Sequence, residues 1–398
     1  MELYLQLGYG MMDLSRQLIQ RWGGGTVVLS PRDLTPKQML GLSAQLIDLK
    51  GRLLIDPQFY LPRADHERLN SHDYWPNGYD TKGFSNANRE RMLNKLSAIN
   101  REAGADAIIV PGERAVEVND LWINSQNAML AAARNATDQP LIVTICLSSE
   151  AIRSSDQVNL IVEQAETQHA AGYYLVLEHP GNDHFVVDPQ WLANSLDLTV
   201  GLRRLGSKVI VGYANQQQLI MACAAGTAIA SGNWGNVRSF FPGKFQQSYQ
   251  EDVKKKAVWY YCPLAFSEYK LPYLDVGVRL GLKAMLFDSA MEYARPMIDA
   301  PLPSASGWSF PLSFLHYLDT LRVQTGNSVK NSFRETLSYH RELIEKADVI
   351  LRELRDKGVR GQNREFTDAL DASRAALVLL ESIHGPILER NWPKLTNE

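Results

Sequence analysis

Cysteine is scarce in this chain. Cys146, Cys223 and Cys262 are its three cysteines, and no two of them are closely spaced. An odd, scattered set excludes a disulfide framework and a cysteine-rich zinc site, and predicts residence in the cytosol. A surplus of one charge sign is also missing: 41 Lys and Arg stand against 44 Asp and Glu, a net charge of −3. No global field draws the chain to nucleic acid or acidic membrane, so any polyanion site must be a local basic patch. No apolar run is long enough to span a bilayer, and the opening MELYLQLGYGMMDLSRQ lacks the basic region, apolar core and cleavage site of a signal peptide. The expectation is a protein without membrane contact. There is no G-x-G-x-x-G after the first apolar run and no P-loop, so neither a dinucleotide nor a nucleoside triphosphate is expected as cofactor.

The chain does carry 45% hydrophobic and 21% charged residues over 398 positions, enough to bury a sizeable core in one large domain with an appendage, or in two domains. A helical leader around 11–22 ends at three consecutive glycines, and residues 26–30 (TVVLS) then read as a first strand. Further strands are expected at 52–60 (RLLIDPQFY), 107–110, 141–147 (LIVTICL), 173–177, 208–213 and 227–231, with an eighth at 257–262 (AVWYYC). Helical periodicity separates them. Such alternation predicts an all-parallel α/β fold, and its extent suits a (β/α)8 TIM-like barrel of about 250 residues better than an open sheet. The polar-aromatic stretch 61–85 reads as a functional insertion, since a tight connector needs no such length. The Pro- and Ser-rich segment 295–311 marks a boundary. The expected organisation is a barrel over 1–295 and a C-terminal helical bundle over 312–398, with helices near 312–325, 329–357 and 363–389.

In parallel α/β folds, ligands sit beyond the carboxyl ends of the strands. The stretch 208–240 (KVIVGYANQQQLIMACAAGTAIASGNWGNVRSF) forms a strand–helix–strand unit whose strands stop in Tyr213-Ala214-Asn215 and Ser231-Gly232-Asn233, followed by Arg238. Asp56 ends an earlier strand on the same expected face, and Glu178 ends another.

The order of elements in 208–240, together with SPRDLTPKQM and LLIDPQFY, resembles the tRNA-guanine transglycosylase superfamily, whose barrels exchange or remove a base at a nucleoside C1′. The resemblance implies that Asp56 is the general acid/base aspartate. Two departures matter. The family's nucleophilic aspartate falls on or beside Ser231, where no carboxylate stands, and of its zinc cysteines only Cys262 remains in YYCPLAFSEYKLPYLD. Neither covalent exchange nor structural zinc is therefore implied, and the reading shifts to hydrolysis. Cleavage of an N-glycosidic bond develops positive charge on the sugar, which a carboxylate can stabilise while taking a proton from water. Within the superfamily, the departures resemble those of antiviral bacterial DNA glycosylases, which implies removal of glucosylated hydroxymethylcytosine from phage DNA. The expected partner is DNA with a flipped base, and no metal is expected.

In that reading Asp56 is catalytic. Glu178, Tyr213, Asn215, Ser231, Asn233 and Arg238 hold the substrate, while Arg32, Arg63, Lys244, Lys254 and Lys255 contact the DNA backbone. Plainer roles compete at every position. Asp56 before Pro57 can be a turn aspartate, Asn215 a helix cap, and Lys254 to Lys256 a solvated face. Glu178-His179 lacks a third metal ligand at a known spacing. Trp75, Tyr79 and Trp234 can stack on a base or pin their own loops. Two other functions stay open: base exchange with Glu178 replacing the missing nucleophile, and a barrel without catalysis that binds nucleic acid or a protein through its tail.

Overall fold

The computed structural model describes residues 1–61, 66–76, 85–246 and 257–396. Short β-branched and aromatic runs form the strands β1 (Glu2–Gln6), β2 (Gly25–Leu29), β3 (Gly51–Ile55), β4 (Ile108–Val110), β5 (Arg114–Ala115), β6 (Leu141–Leu147), β7 (Gly172–Leu177), β8 (Lys208–Val211) and β9 (Ala228–Ser231). These strands pair in parallel in the order β3-β2-β1-β9-β8-β7-β6-β4, with β5 beside β6. The sheet curls until its ends approach, where Asp106 N–H donates to Leu53 O at 3.0 Å and Arg114 N–H to Tyr60 O at 2.9 Å. The result is an α/β TIM-like barrel with a C-terminal helical region. Every residue of β6 and β7 is buried, which is why LIVTICL and GYYLVL read as continuous apolar runs and show no alternation.

The connecting helices start on local signals. Thr35 caps the helix Pro36–Asp48 through a capping box with Gln38, and Pro36 sits in its first turn. Helix Met12–Trp22 buries Leu14, Leu18 and Ile19 against the sheet; each such side chain contributes roughly 1.5–3 kcal/mol.

Three expectations change. The first strand is β1 (ELYLQ), ahead of the expected one at 26–30; five residues with four buried suffice when both neighbours, β2 and β9, pair with them. The aromatic run near 257–262 is a strand, β10 (Trp259–Cys262), but it pairs antiparallel with β11 (Ser267–Lys270) outside the barrel. Its composition gives strand propensity, while Pro263 and the left-handed Phe266 turn the chain straight back. The helix expected after β8 is a 3-10 helix, Gln216–Ala224.

The C-terminal helices complete this irregular barrel. Helix Phe310–Asn327 lies beside β1 and helix Met12–Trp22, where Trp22 Nε1–H donates to Asp319 at 2.8 Å and the Arg322 guanidinium lies 4.4 Å from the Trp22 ring centroid. A boundary at 295 therefore parts this helix from the barrel it closes. Helices Phe333–Asp356 and Thr367–Thr396 pack on the 3-10 helix Gln216–Ala224. The last helix also packs on helix Pro189–Arg204, where Arg203 donates to Leu395 O and His384 meets Asp197 at 2.6 Å. No helix among the described residues is long and apolar enough to cross a membrane.

Candidate active site at the carboxyl end of the barrel

Asp56 follows β3 directly, and its side chain is 0% exposed. The Tyr60 hydroxyl lies 2.7 Å from each carboxyl oxygen, the Tyr213 hydroxyl donates to Oδ2 at 2.9 Å, and the Gln58 N–H donates to Oδ1 at 3.0 Å. Tyr174 reaches Oδ2 at 3.4 Å while donating to Gln6 Oε1 at 2.7 Å. These groups come from β7 and the segments after β3 and β8, so three parts of the barrel converge on one carboxyl, and β1 joins them through Gln6 on Tyr174. Gly212 makes the approach possible: a Cβ there would stand 2.4 Å from the Tyr174 hydroxyl.

Two residues of this cage, Gln58 (φ 55°) and Tyr213 (φ 52°), hold left-handed backbone without being glycine. Each such conformation costs about 1–3 kcal/mol, and such strain concentrates at functional sites. Gln58 is fixed by Nε2–H bonds to Ser30 Oγ at 2.9 Å and to the Tyr213 hydroxyl at 3.2 Å, and its Oε1 accepts from Arg32 N–H at 2.8 Å.

Burial pushes the Asp56 carboxyl above the ordinary aspartate value, and it prevails over the opposing pull of Tyr60, the Gln58 amide, Tyr213 and the Lys244 charge. Burial, reinforced by the neighbouring Asp56, also raises the phenols of Tyr60, Tyr174 and Tyr213. They stay protonated: Tyr60 and Tyr213 act as O–H donors toward the carboxyl, and the one proton of Tyr174 goes to Gln6 Oε1.

The mouth over this cage is closed by aromatic rings. Tyr60 packs edge-on against Phe240 and Phe245, each at 5.1 Å between centroids, and Lys244 Nζ lies 3.9 Å from the Tyr213 ring centroid.

Of the residues singled out from the sequence, Asp56 and Tyr213 are thus brought together. Glu178 is instead paired with Arg114, accepting from its Nε–H at 2.6 Å, while its backbone bridges to Phe240. Four assignments to substrate binding are corrected. Asn215 is a capping residue, accepting from Gln217 N–H at 2.8 Å and donating to His184 O at 2.7 Å. Ser231 is buried against the Tyr317 hydroxyl at 3.5 Å. Asn233 is buried, donating to Tyr9 O at 2.9 Å. Arg238, 1% exposed, is committed to Gly232 O at 2.8 Å and to Glu268 at 3.0 Å, with its guanidinium 3.4 Å from the Tyr317 ring centroid.

Two assignments to the DNA backbone are corrected as well. Arg32 turns inward to Lys244 O at 2.8 Å and to Asp33 at 3.2 Å; Lys244, 2% exposed, donates to Asn236 O. Neither presents its charge to a phosphate. Arg63, Lys254, Lys255, Lys256 and Tyr79 lie outside the described residues. Trp75 pins its own loop, packing on Phe59 at 5.4 Å. His179 is buried, with Nδ1 on Asp183 O at 3.0 Å, and no cluster of His, Cys, Asp or Glu among the described residues could hold a metal ion.

Gln6, Gln58, Tyr60 and Tyr174 were missed. Polar atoms inside apolar strands were the available signal: Gln6 closes ELYLQ, and Tyr60 stands four residues after Asp56 in DPQFY.

No protein-family model matches the chain, and no curated protein sequence does either. Solved structures similar to it include the cellopentaose complex of XacCel5A, with 11% identity, TM-score 0.37, and 58% of this chain and 90% of that chain covered. The 3-dehydroquinate dehydratase of Aquifex aeolicus has 8% identity, TM-score 0.35, and 63% and 100% coverage. The carboxyl transferase domain of Rhizobium etli pyruvate carboxylase, bound to pyruvate and biocytin, has 10% identity, TM-score 0.38, and 97% and 78% coverage. At these similarities they carry no argument about chemistry here, and the fold rests on the strand pairing described above.

Proposed function

We propose that this chain is an enzyme, a metal-independent DNA N-glycosylase that removes a modified base, with glucosylated hydroxymethylcytosine in phage DNA as the substrate and Asp56 as the catalytic carboxyl. The observation that supports this reading most is the Asp56 cage: one carboxyl at the carboxyl end of a barrel strand, raised by burial and ringed by phenolic donors. In the proposed step, water attacks C1′ as the C1′–N bond breaks, and the bonding pair leaves with the base. Ionised Asp56 stabilises the positive sugar and takes the proton of the attacking water. The hydroxyls of Tyr60 and Tyr213 hold the carboxylate in place and, once it is protonated, are free to turn toward the leaving base.

The substrate reaches Asp56 only when the 3-10 turn Pro242–Phe245 lifts from Tyr60 and Tyr213, so base flipping and loop opening are one event in this scheme. Base exchange through Glu178 is disfavoured, because that carboxylate is engaged by Arg114.

The test is incubation of the full chain with modified phage DNA and with unmodified DNA, followed by assay of released base and alkali-labile sites. Release from modified DNA alone, lost in Asp56→Asn, is the expected result. No release from either DNA, or equal release by the variant, would rule the reading out.

A further inference from the structure

A second concavity of about 150 Å³ opens at the same end of the barrel, on the far side of β1 and β2 from Asp56. Its walls are aromatic: Trp234 after β9, Trp259 at the start of β10, and Phe310 and Phe314 in the first turns of helix Phe310–Asn327. Trp234 packs edge-on against Phe314 at 4.7 Å and tilted against Phe310 at 5.5 Å, so this wall is fixed. Three distant parts of the chain meet here.

The charged groups lining it, among the described residues, are Arg238, Glu268 and Arg364. Glu268 is 3% exposed, and each of its oxygens is taken, Oε1 by Arg238 at 3.0 Å and Oε2 by Arg364 at 2.8 Å. His184 Nε2 stands 3.7 Å from Oε1 and is uncharged, since burial lowers it to about 3. Two cations against one anion leave the cluster one positive charge in excess. Lys270, 5.0 Å from the Trp259 ring centroid, adds a further cation nearby while donating to Gln362 at 2.7 Å. Arg364 spends only Nη1 on Glu268; its Nε and Nη2 have no hydrogen-bond partner among the described residues, and its side chain is 22% exposed. Glu268 is the one carboxylate shared by both guanidiniums, so the cluster's excess charge and the unused donors of Arg364, whose guanidinium lies 4.7 Å from the Trp259 ring centroid, suit an added anion, and Arg presents its donors as a planar fork that matches a carboxylate.

We propose that this pocket binds a small aromatic carboxylate: the carboxylate accepts from the free N–H groups of Arg364, and the ring packs among Trp234, Phe310 and Phe314. The aromatic walls select a ring, and the excess charge selects an anion. Glu268 does not repel the ligand strongly, because both its oxygens face guanidiniums. The site is independent of the glycosylase reading, since it shares no residue with the Asp56 cage.

The test titrates the full chain with benzoate, with benzyl alcohol as the neutral isostere, and with inorganic phosphate, read by calorimetry and by tryptophan fluorescence. Saturable benzoate binding is expected, with benzyl alcohol and phosphate each weaker by about tenfold or more. Arg364→Met weakens benzoate by a similar factor. Arg364→Lys, which keeps the charge beside Glu268 and loses the fork, weakens it several-fold at an unchanged melting temperature. Absent saturable binding of benzoate, the proposal is overturned. It is overturned equally if both variants bind benzoate as the wild type does, or if benzyl alcohol or phosphate binds as well as benzoate.

Discussion

Two carboxyls, Asp56 in the barrel and Glu268 on the hairpin β10–β11 beside it, are buried almost equally and are shifted in opposite directions. Asp56 is ringed by phenols and one amide, none of them charged, with Lys244 the nearest cation among its influences, and burial raises it. Burial also pushes Glu268 up, but the Arg364 and Arg238 guanidiniums override that push and hold it down at about 2. Neutral hydrogen bonds recover only part of the hydration that a carboxylate loses on burial, whereas two full charges in a low-dielectric setting more than restore it. The first carboxyl binds its proton more tightly than an ordinary aspartate does; the second is held as an ion and serves as an anchor. Location alone does not separate them, since both lie at the carboxyl end of the barrel. The sign of the neighbouring groups does.

If that contrast is right, the largest effect belongs to chemistry at Asp56. Asp56→Asn keeps the size and loses the proton acceptor, and base release is expected to fall by about 10²–10⁴-fold, the usual range for a positioned acid or base. Single-turnover release from modified DNA measures it. The same variant is expected to fold as well as the wild type at neutral pH, because it removes a charge that burial penalises. Glu268→Ala is the converse. It strands Arg238 buried without its counter-ion and is expected to cost about 3–5 kcal/mol of stability, read as a lowered urea midpoint. A large activity loss without a stability loss at Asp56, and a large stability loss at Glu268, would sustain the distinction; the reverse pattern would abolish it.

The pH dependence should differ in sign. Glu268 is depressed from 4.5 to about 2, so its contribution is present above the unfolded value and is lost as pH falls through about 2. Asp56 is raised above 3.8, so its contribution is present below that value and is lost as pH rises through the folded value. Urea midpoints followed from neutral pH into acid should therefore fall less steeply in Glu268→Gln than in the wild type, and more steeply in Asp56→Asn. Parallel curves for all three proteins would show that neither carboxyl titrates as described.

Sequence patterns exposed one of these carboxyls and hid the other. Asp56 stands at the end of an apolar run beside Pro57, a local signal, and the parallel α/β class followed from runs such as LIVTICL. Glu268 sits in SEYK, an alternating hairpin strand whose pattern is that of any surface strand; its two arginines lie 30 positions before it and 96 after it. Only the tertiary path, with helix Phe310–Asn327 returning to β1 and the segment at Arg364 folding back on β11, brings them together. Arg32 and Lys244 differ from their sequence expectation for the same reason: a basic residue near a strand end suggests a solvent-facing charge, while Lys244 lies against the Tyr213 ring and Arg32 is held by Lys244 O and Asp33. The first strand was missed because its neighbours are β2 and β9, and the second of these is more than 220 residues away, as in the pair Tyr4 and Ala230.

The smallest expected effect is the finest test of the contrast. Tyr213→Phe deletes the hydroxyl that donates to Asp56 Oδ2 and leaves the ring beneath Lys244 in place. Loss of one neutral donor should cost roughly 0.5–1.5 kcal/mol of stability. Because that donor favours the ionised carboxyl, its loss raises Asp56 further, and the acid limb of the rate profile for base release should move to higher pH. Tyr317→Phe supplies the matching change beside Glu268. Arg238 lies against the face of the Tyr317 ring, so the ring survives the substitution, the guanidinium keeps its place, and Glu268 keeps its two charges. The acid limb should then stay where it is. A shift in both variants, or in Tyr317→Phe alone, would mean that the cage around Asp56 is not what sets the acid limb.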